Sequence, residues 1–268
     1  MGERIRIGID GHVAVVTLAR PDKRNALDLP MLEALDAAGT ELAGNPALRA
    51  CVLEGEGGHF SAGIDLSVLQ GGTQADLEAA LAPLPGSPAN LFQRAAWAWR
   101  ELPVPVICAI TGVAYGGGLQ LALGADIRYA RADAQFSVME VAWGIVPDMA
   151  LTQTLARIAR PDRIKELALT GRVFDGAEAE AVGVVTALAD DPSARARELA
   201  EDIASKSPDA VRAIKRLLDE AQALAPDAAL RLEAELQLGL LGRPNQREAV
   251  AARLERREPR FTNPGTGD

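Results

Sequence analysis

The chain has 268 residues, 48% of them apolar, and a formal charge of -9. That much apolar material can bury a full core, which excludes disorder and predicts one large domain or one domain with an appendage. The acidic balance excludes general nucleic-acid affinity, which needs clustered lysine and arginine, so an anionic ligand would require a local basic patch.

Residues 1–7 alternate charge with isoleucine and lack the apolar stretch of a secretory signal, so the mature protein is expected to begin near Met1. Residues 5–9 and 13–18 read as the strands of a β-hairpin turned at Asp10-Gly11. A helix is predicted over 31–43, with Pro30 in its first turn and Gly44-Asn45-Pro46 ending it, followed by a buried strand over 49–53. The segment 71–89 is rich in Gly, Pro, Ser and Ala and reads as a mobile insertion; a helix over 90–101 comes next. A strand over 104–110, a glycine-rich helix start and a strand near 126–130 continue a β/α alternation. Helices over 151–159 and 162–169 and a strand over 182–187 complete it. Residues 104–125 carry no charge, but Pro105, Gly116-Gly117-Gly118 and Gln120 interrupt them, and strand plus buried helix explains them better than a membrane span. A cytoplasmic protein without membrane association is expected. Cys51 and Cys108 each lie in an apolar run and read as small buried hydrophobes rather than as disulfide or metal ligands. From Pro192 onward no strand pattern survives. Helices are predicted over 193–205, 208–224, 227–241 and 245–257, with apolar stripes such as Leu232, Leu236, Leu240 and Leu254 that need a partner surface.

Three stretches could carry chemistry. His59-Phe60-Ser61-Ala62-Gly63-Ile64-Asp65-Leu66 is a small-residue turn after a strand, and small residues let a ligand approach the backbone. Gly116-Gly117-Gly118-Leu119-Gln120 opens an apolar helix, whose first N–H groups have no intrahelical acceptor. In residues 138–151 the only ionisable groups are Glu140 and Asp148. Carboxyls in such apolar surroundings are candidates for a raised pKa and acid/base work. The competing readings are that Asp148 caps the following helix and that Glu140 pairs with Arg128 or Arg157.

These residues resemble the enoyl-CoA hydratase/isomerase (crotonase) superfamily. Residues 59–66 are similar to its F-(S/A)-A-G-x-D-(L/I) turn and residues 116–120 to its G-G-G-x-(E/D/Q) helix start. Arg20-Pro21-Asp22-Lys23-Arg24-Asn25-Ala26-Leu27 is similar to its early R-P-x-x-x-N-A-L element. Residues 134–147, Leu169-Thr170-Gly171-Arg172 and Ala181-Val182-Gly183-Val184-Val185 follow in family order, so the resemblance covers about residues 11–257.

The resemblance implies an α/β fold, a crotonase-type ββα spiral core over 1–195, with a helical C-terminal region over 196–268 that mediates assembly into a homotrimer or dimer of trimers. It implies an acyl-CoA substrate, with coenzyme A part of that substrate and no other cofactor or metal. Ala62 and Gly117 would supply the oxyanion-hole N–H groups for the thioester oxygen, which fixed donors stabilise as enolate charge develops. Lys23, Arg24, Ala26, Ser61, Gly63, Ile64, Asp65 and Leu66 would bind substrate and coenzyme A, with residues 71–89 shaping the tail pocket. The family's two acid/base positions fall on Gln120 and Glu140. Ordinary hydratases have glutamate at both, and an amide at Gln120 positions groups without exchanging a proton. Asp148, eight residues after Glu140, is similar to the dienoyl-CoA isomerase branch. The expected reaction is therefore double-bond isomerisation of an unsaturated acyl-CoA by Glu140 and Asp148. Hydration of a 2-enoyl-CoA is the alternative, and an inert acyl-CoA-binding scaffold the second.

Overall fold

The computed structural model describes residues 3–70 and 73–264. β1 (Ile5–Asp10) pairs antiparallel with β2 (Val13–Leu18) in a register that sets Asp10 opposite Val13. Asp10 therefore stays in the strand, and the turn is Gly11-His12 rather than Asp10-Gly11. Helix α1 (Leu29–Ala43) starts earlier than its apolar pattern suggests because Asp28 caps it, accepting the Met31 N–H at 3.0 Å. Such a cap satisfies one of the donors a helix start leaves open.

β3 (Ala50–Gly55) lies parallel to β2, and the one-turn helix α2 (Leu66–Leu69) follows the small-residue turn. The segment expected to be a mobile insertion instead contains a helix, α3 (Gln74–Leu81). A reciprocal capping box between Thr73 and Asp76 starts it. That box was written in the sequence as T-x-x-D ahead of an alanine–leucine run. Gly71 and Gly72, which open the segment, lie outside the described residues. A second capping box, Asn90 with Gln93, starts α4 (Leu91–Glu101), which buries Trp99 completely in the core.

The remaining elements of the alternation are β4 (Val106–Ile110), β5 (Val113–Tyr115), α5 (Gly117–Leu123), β6 (Ile127–Ala130) and β7 (Gln135–Ser137). They are followed by α6 (Leu151–Ile158), α7 (Pro161–Thr170), β8 (Phe174–Asp175), α8 (Gly176–Ala181) and β9 (Ala187–Leu188). One sheet runs in the order β1-β2-β3-β4-β6-β9, parallel from β2 onward, and a smaller sheet runs β5-β7-β8. The strand expected over 182–187 shrinks to Ala187–Leu188. Val184 and Val185 are buried in the connection after α8, where the Val184 carbonyl accepts a bond from the buried Arg128 guanidinium. Burial, not pairing, explains why those residues are β-branched.

The central strands are buried on both faces, as parallel sheets require. On β3 and β4, Cys51, Leu53, Val106, Cys108 and Ile110 point to the main core, and Val52, Ile107 and Ala109 point the other way. The two cysteines are free and fully buried, and burial pushes the Cys51 thiol up to about 12. That second face is covered by α9 (Pro192–Ala204), whose Ala196, Ala200 and Ala204 recur at one-turn spacing and let it lie close to the sheet. A boundary at 195/196 thus falls inside a helix that covers the core sheet.

Beyond it come α10 (Pro208–Ala221), α11 (Pro226–Leu240) and α12 (Pro244–Glu255). α11 packs against α10, with Leu232 buried and Leu236 and Leu240 half-buried. The faces left uncovered carry Ile214, Leu218, Leu230, Leu238, Leu241 and Leu254. Among the described residues, no helix is long and apolar enough to cross a membrane.

Candidate active site

The small-residue turn after β3 is held from two directions. Phe60 and Ser61 donate their N–H groups to the carbonyls of Thr111 and Val113, and Tyr115 donates back to Ser61, so the turn is laid along β5. On the other side, the fully buried Asn25 donates to the carbonyls of Glu56 and His59, both at 2.9 Å. Its own side-chain oxygen accepts the Arg20 N–H. Ser61 Oγ donates to the Asn25 carbonyl at 2.8 Å. Asp65 accepts from Arg20 at 2.6 Å and caps α2 through Ser67, which holds its carboxyl down at about 2. Ser61 and Asp65 are therefore braces of the turn.

The turn presents Ile64 to the start of α5. Gly63 has φ 90°, and a Cβ there would sit 2.6 Å from the Tyr115 carbonyl oxygen and 3.5 Å from the Gly117 nitrogen. Only glycine fits so close an approach. A Cβ on Gly117 would in turn meet Ile64 Cγ1 at 3.2 Å, which places residues 64 and 117 face to face.

The expected donor pair needs one correction. The Ala62 N–H already donates to the Arg24 carbonyl at 2.8 Å and is committed to the scaffold. Among the described residues, the N–H groups of Ile64 and Gly117 have no protein acceptor. The free pair is thus Ile64 with Gly117.

Ile64 and Gly117 line a cavity of about 420 Å³ with Glu140. Lys23, Ala26, Ala62, Gly63, Asp65 and Leu66 line it too, whereas Arg24, Ser61, Gln120 and Asp148 do not. Its apolar wall is Leu66, Leu69, Trp143 and Ile145, and no residue from 73–89 contributes. The segment expected to shape the pocket packs on α4 instead. Trp143 and Ile145, like the bracing Asn25, were missed as site residues. A clue for Trp143 existed in retrospect: Glu140–Trp143 forms a 3-10 turn, and residues three apart then share a face.

Glu140 is nearly buried. Its Oε1 accepts from Gln120 Nε2 at 2.6 Å, and its Oε2 is buried with no partner among the described residues. Burial raises its pKa above the ordinary glutamate range; the nearby charge of Asp148 adds to this, and the Gln120 hydrogen bond opposes it. Asp148 is half-buried and is also raised, by burial. Neither competing reading of these acids survives. The α6 N-cap is Ala150 with no side-chain cap, Arg128 bonds the carbonyls of Val184 and Ala125, and Arg157 bonds the Asp219 carbonyl.

A carboxyl whose native pKa is raised penalises folding wherever the unfolded chain ionises it more readily than the native state does. The penalty is absent below about pH 4, grows as pH rises from there to the native value and is constant above it. Asp148→Asn is therefore expected to raise the urea midpoint relative to the unmodified protein more at pH 7 than at pH 4. An equal shift at both pH values would show that Asp148 carries no desolvated charge.

A family model described as Enoyl-CoA hydratase/isomerase matches residues 8–264. The chain belongs to the enoyl-CoA hydratase/isomerase family. It is 33% identical over 266 residues to a probable enoyl-CoA hydratase of Mycobacterium bovis, covering 97% of this chain and 98% of that one. It is 34% identical over 267 residues to the peroxisomal Delta(3,5)-Delta(2,4)-dienoyl-CoA isomerase of Arabidopsis thaliana, covering 97% and 96%. The crystal structure of an enoyl-CoA hydratase from Bacillus anthracis matches with a TM-score of 0.89 at 30% identity, over 97% of this chain and 99% of that one. The architecture is accordingly the crotonase α/β fold with C-terminal helices, and the protein is an enzyme of the enoyl-CoA hydratase/isomerase family. Relatives of both reaction types stand at similar identity, so the reaction has to be argued from the site.

Proposed function

We propose that the protein shifts the double bonds of an unsaturated acyl-CoA by relocating a proton next to the thioester. The observation that supports this best is Glu140 Oε2: one buried, unpartnered carboxylate oxygen in a cavity that also holds two free backbone N–H groups. The Ile64 and Gly117 N–H groups receive the thioester oxygen, and fixed donors stabilise it as enolate charge develops there. Glu140, with its raised pKa, takes a proton from C2. For a 3,5-dienoyl-CoA this gives a trienolate whose charge spreads from the thioester oxygen to C6. A proton returned at C6 leaves the 2,4-dienoyl-CoA, and the balance closes with no other reactant. Asp148 is the second proton group, desolvated and near enough for its charge to act on Glu140. Lys23 at the cavity meets the coenzyme A end, and Leu66, Leu69, Trp143 and Ile145 offer a hydrocarbon tail an apolar wall.

Hydration is the second reading, favoured by the names of most relatives. It would rest on Glu140 alone to activate water, because Gln120 supplies no second carboxylate. A spectrophotometric panel of 2-enoyl-, 3-enoyl- and 3,5-dienoyl-CoA separates the two. Conversion of the 3,5-dienoyl or 3-enoyl substrate faster than hydration of the 2-enoyl substrate is expected, and the reverse order would favour the hydratase.

We also propose a homotrimer, or a dimer of trimers, because the uncovered leucines of α10 to α12 need a partner surface. Light scattering at micromolar concentration is expected to give three or six times the 28.2 kDa chain mass. A monomer would contradict it.

A further inference from the structure

Gln120 stands where ordinary hydratases carry a carboxylate, and its two ends have different partners. Its Oε1 accepts the Met149 N–H at 2.8 Å, and its Nε2 donates to Glu140 Oε1 at 2.6 Å. Gln120 is fully buried, as is Met149. The Met149 N–H can only donate, so the amide has one allowed orientation. Turned over, its NH2 would face another donor and its carbonyl would face a carboxylate, both contacts being buried.

The consequence falls on Glu140. A side chain that can only donate toward Oε1 excludes a proton from that oxygen in both charge states of Glu140. Ionised, Oε1 accepts the amide N–H; protonated, Oε1 is the carbonyl oxygen and still accepts it. The proton is confined to Oε2, the oxygen left without a protein partner. We infer that Gln120, oriented by the Met149 backbone, is a positioning residue that makes Glu140 a one-oxygen acid/base, carrying its own proton at Oε2 alone. This rests on the reading of Glu140 as the proton carrier. It also revises what a carboxylate at position 120 would do. A glutamate there would set a second oxygen about as close to Glu140 Oε1 as the amide nitrogen now lies, and like charges so close share one proton rather than act as two independent acids.

The test is the pH dependence of kcat/KM for the best substrate of the panel, with Gln120→Glu, Gln120→Met and Glu140→Gln. Asp148 is the other ionisable group whose charge acts on Glu140, and it is unchanged in all three proteins. Gln120→Met removes both hydrogen bonds at similar volume. It is expected to lower kcat roughly tenfold or more, the worth of one hydrogen bond to a charged group, with KM little changed and the acid limb moved upward. Gln120→Glu is expected to work only while the pair holds one proton, because the introduced carboxyl donates toward Glu140 as the amide does only when protonated. It should therefore show an alkaline limb at lower pH than any in the unmodified protein, as the pair loses that proton. A fall in rate with unmoved limbs in both Gln120 variants, alongside an inactive Glu140→Gln, would overturn the positioning role and leave the Glu140 reading standing. An active Glu140→Gln would overturn both.

Discussion

Glu140→Gln is expected to lower turnover by roughly 10²-fold or more, with KM for the acyl-CoA nearly unchanged. The substitution keeps the volume and leaves an acceptor for the Gln120 amide, but it removes the oxygen that carries the proton. Binding should survive because Lys23, Leu66 and the Ile64 and Gly117 N–H groups lie elsewhere on the cavity wall. Folding should also survive, since the change removes a carboxyl whose burial disfavours its ionised form. Asp148→Asn should lower dienoyl conversion by a similar factor if it is the second proton group. Steady-state kinetics with a urea titration of each variant checks both. Turnover within a few-fold of the unmodified enzyme in a folded Glu140→Gln would remove Glu140 from the chemistry.

Gly117→Pro is expected to reduce kcat by about 10²- to 10³-fold, the usual effect of removing one oxyanion donor. Gly117 is the first residue of α5, where proline is tolerated because the N–H has no intrahelical acceptor. A new Cβ would approach Met149 Sδ at 2.7 Å, so part of any loss could come from crowding of that side chain. Gly117→Ala introduces the same Cβ but keeps the N–H, and the ratio of the two variants isolates the donor. An alanine variant as impaired as the proline variant would assign the effect to crowding. Comparable activity in the proline variant and the unmodified protein would exclude Gly117 as a donor.

The residues proposed for this candidate site were legible in the sequence where their signal is local. Glu140 and Asp148 stand out as the only ionisable groups in an apolar run, and Gly117 stands out in a glycine triplet after a strand. The choice of Ala62 over Ile64 failed for a reason no local pattern carries. Which N–H of the turn is free depends on the Arg24 carbonyl, contributed by a segment far away in the chain. Asn25 as a brace and Met149 as the partner of Gln120 were invisible for the same reason. In the fold, alternation placed β1 to β4 and the C-terminal helices correctly. The error over 182–187 came from reading buried valines as paired ones, and the error over 71–89 from weighing Gly and Pro above a capping box.

The central claim is that the site moves a proton and adds no water, and product mass in D2O tests it most directly. 3,5-dienoyl-CoA and 2-enoyl-CoA are offered together at equal concentration, and the products are read by mass spectrometry. The expected dominant product is a 2,4-dienoyl-CoA that has gained deuterium at C6 and no oxygen, formed by the unmodified protein and not by Glu140→Gln. Dominant gain of one whole water by the 2-enoyl-CoA, with the diene left in place, would contradict the account.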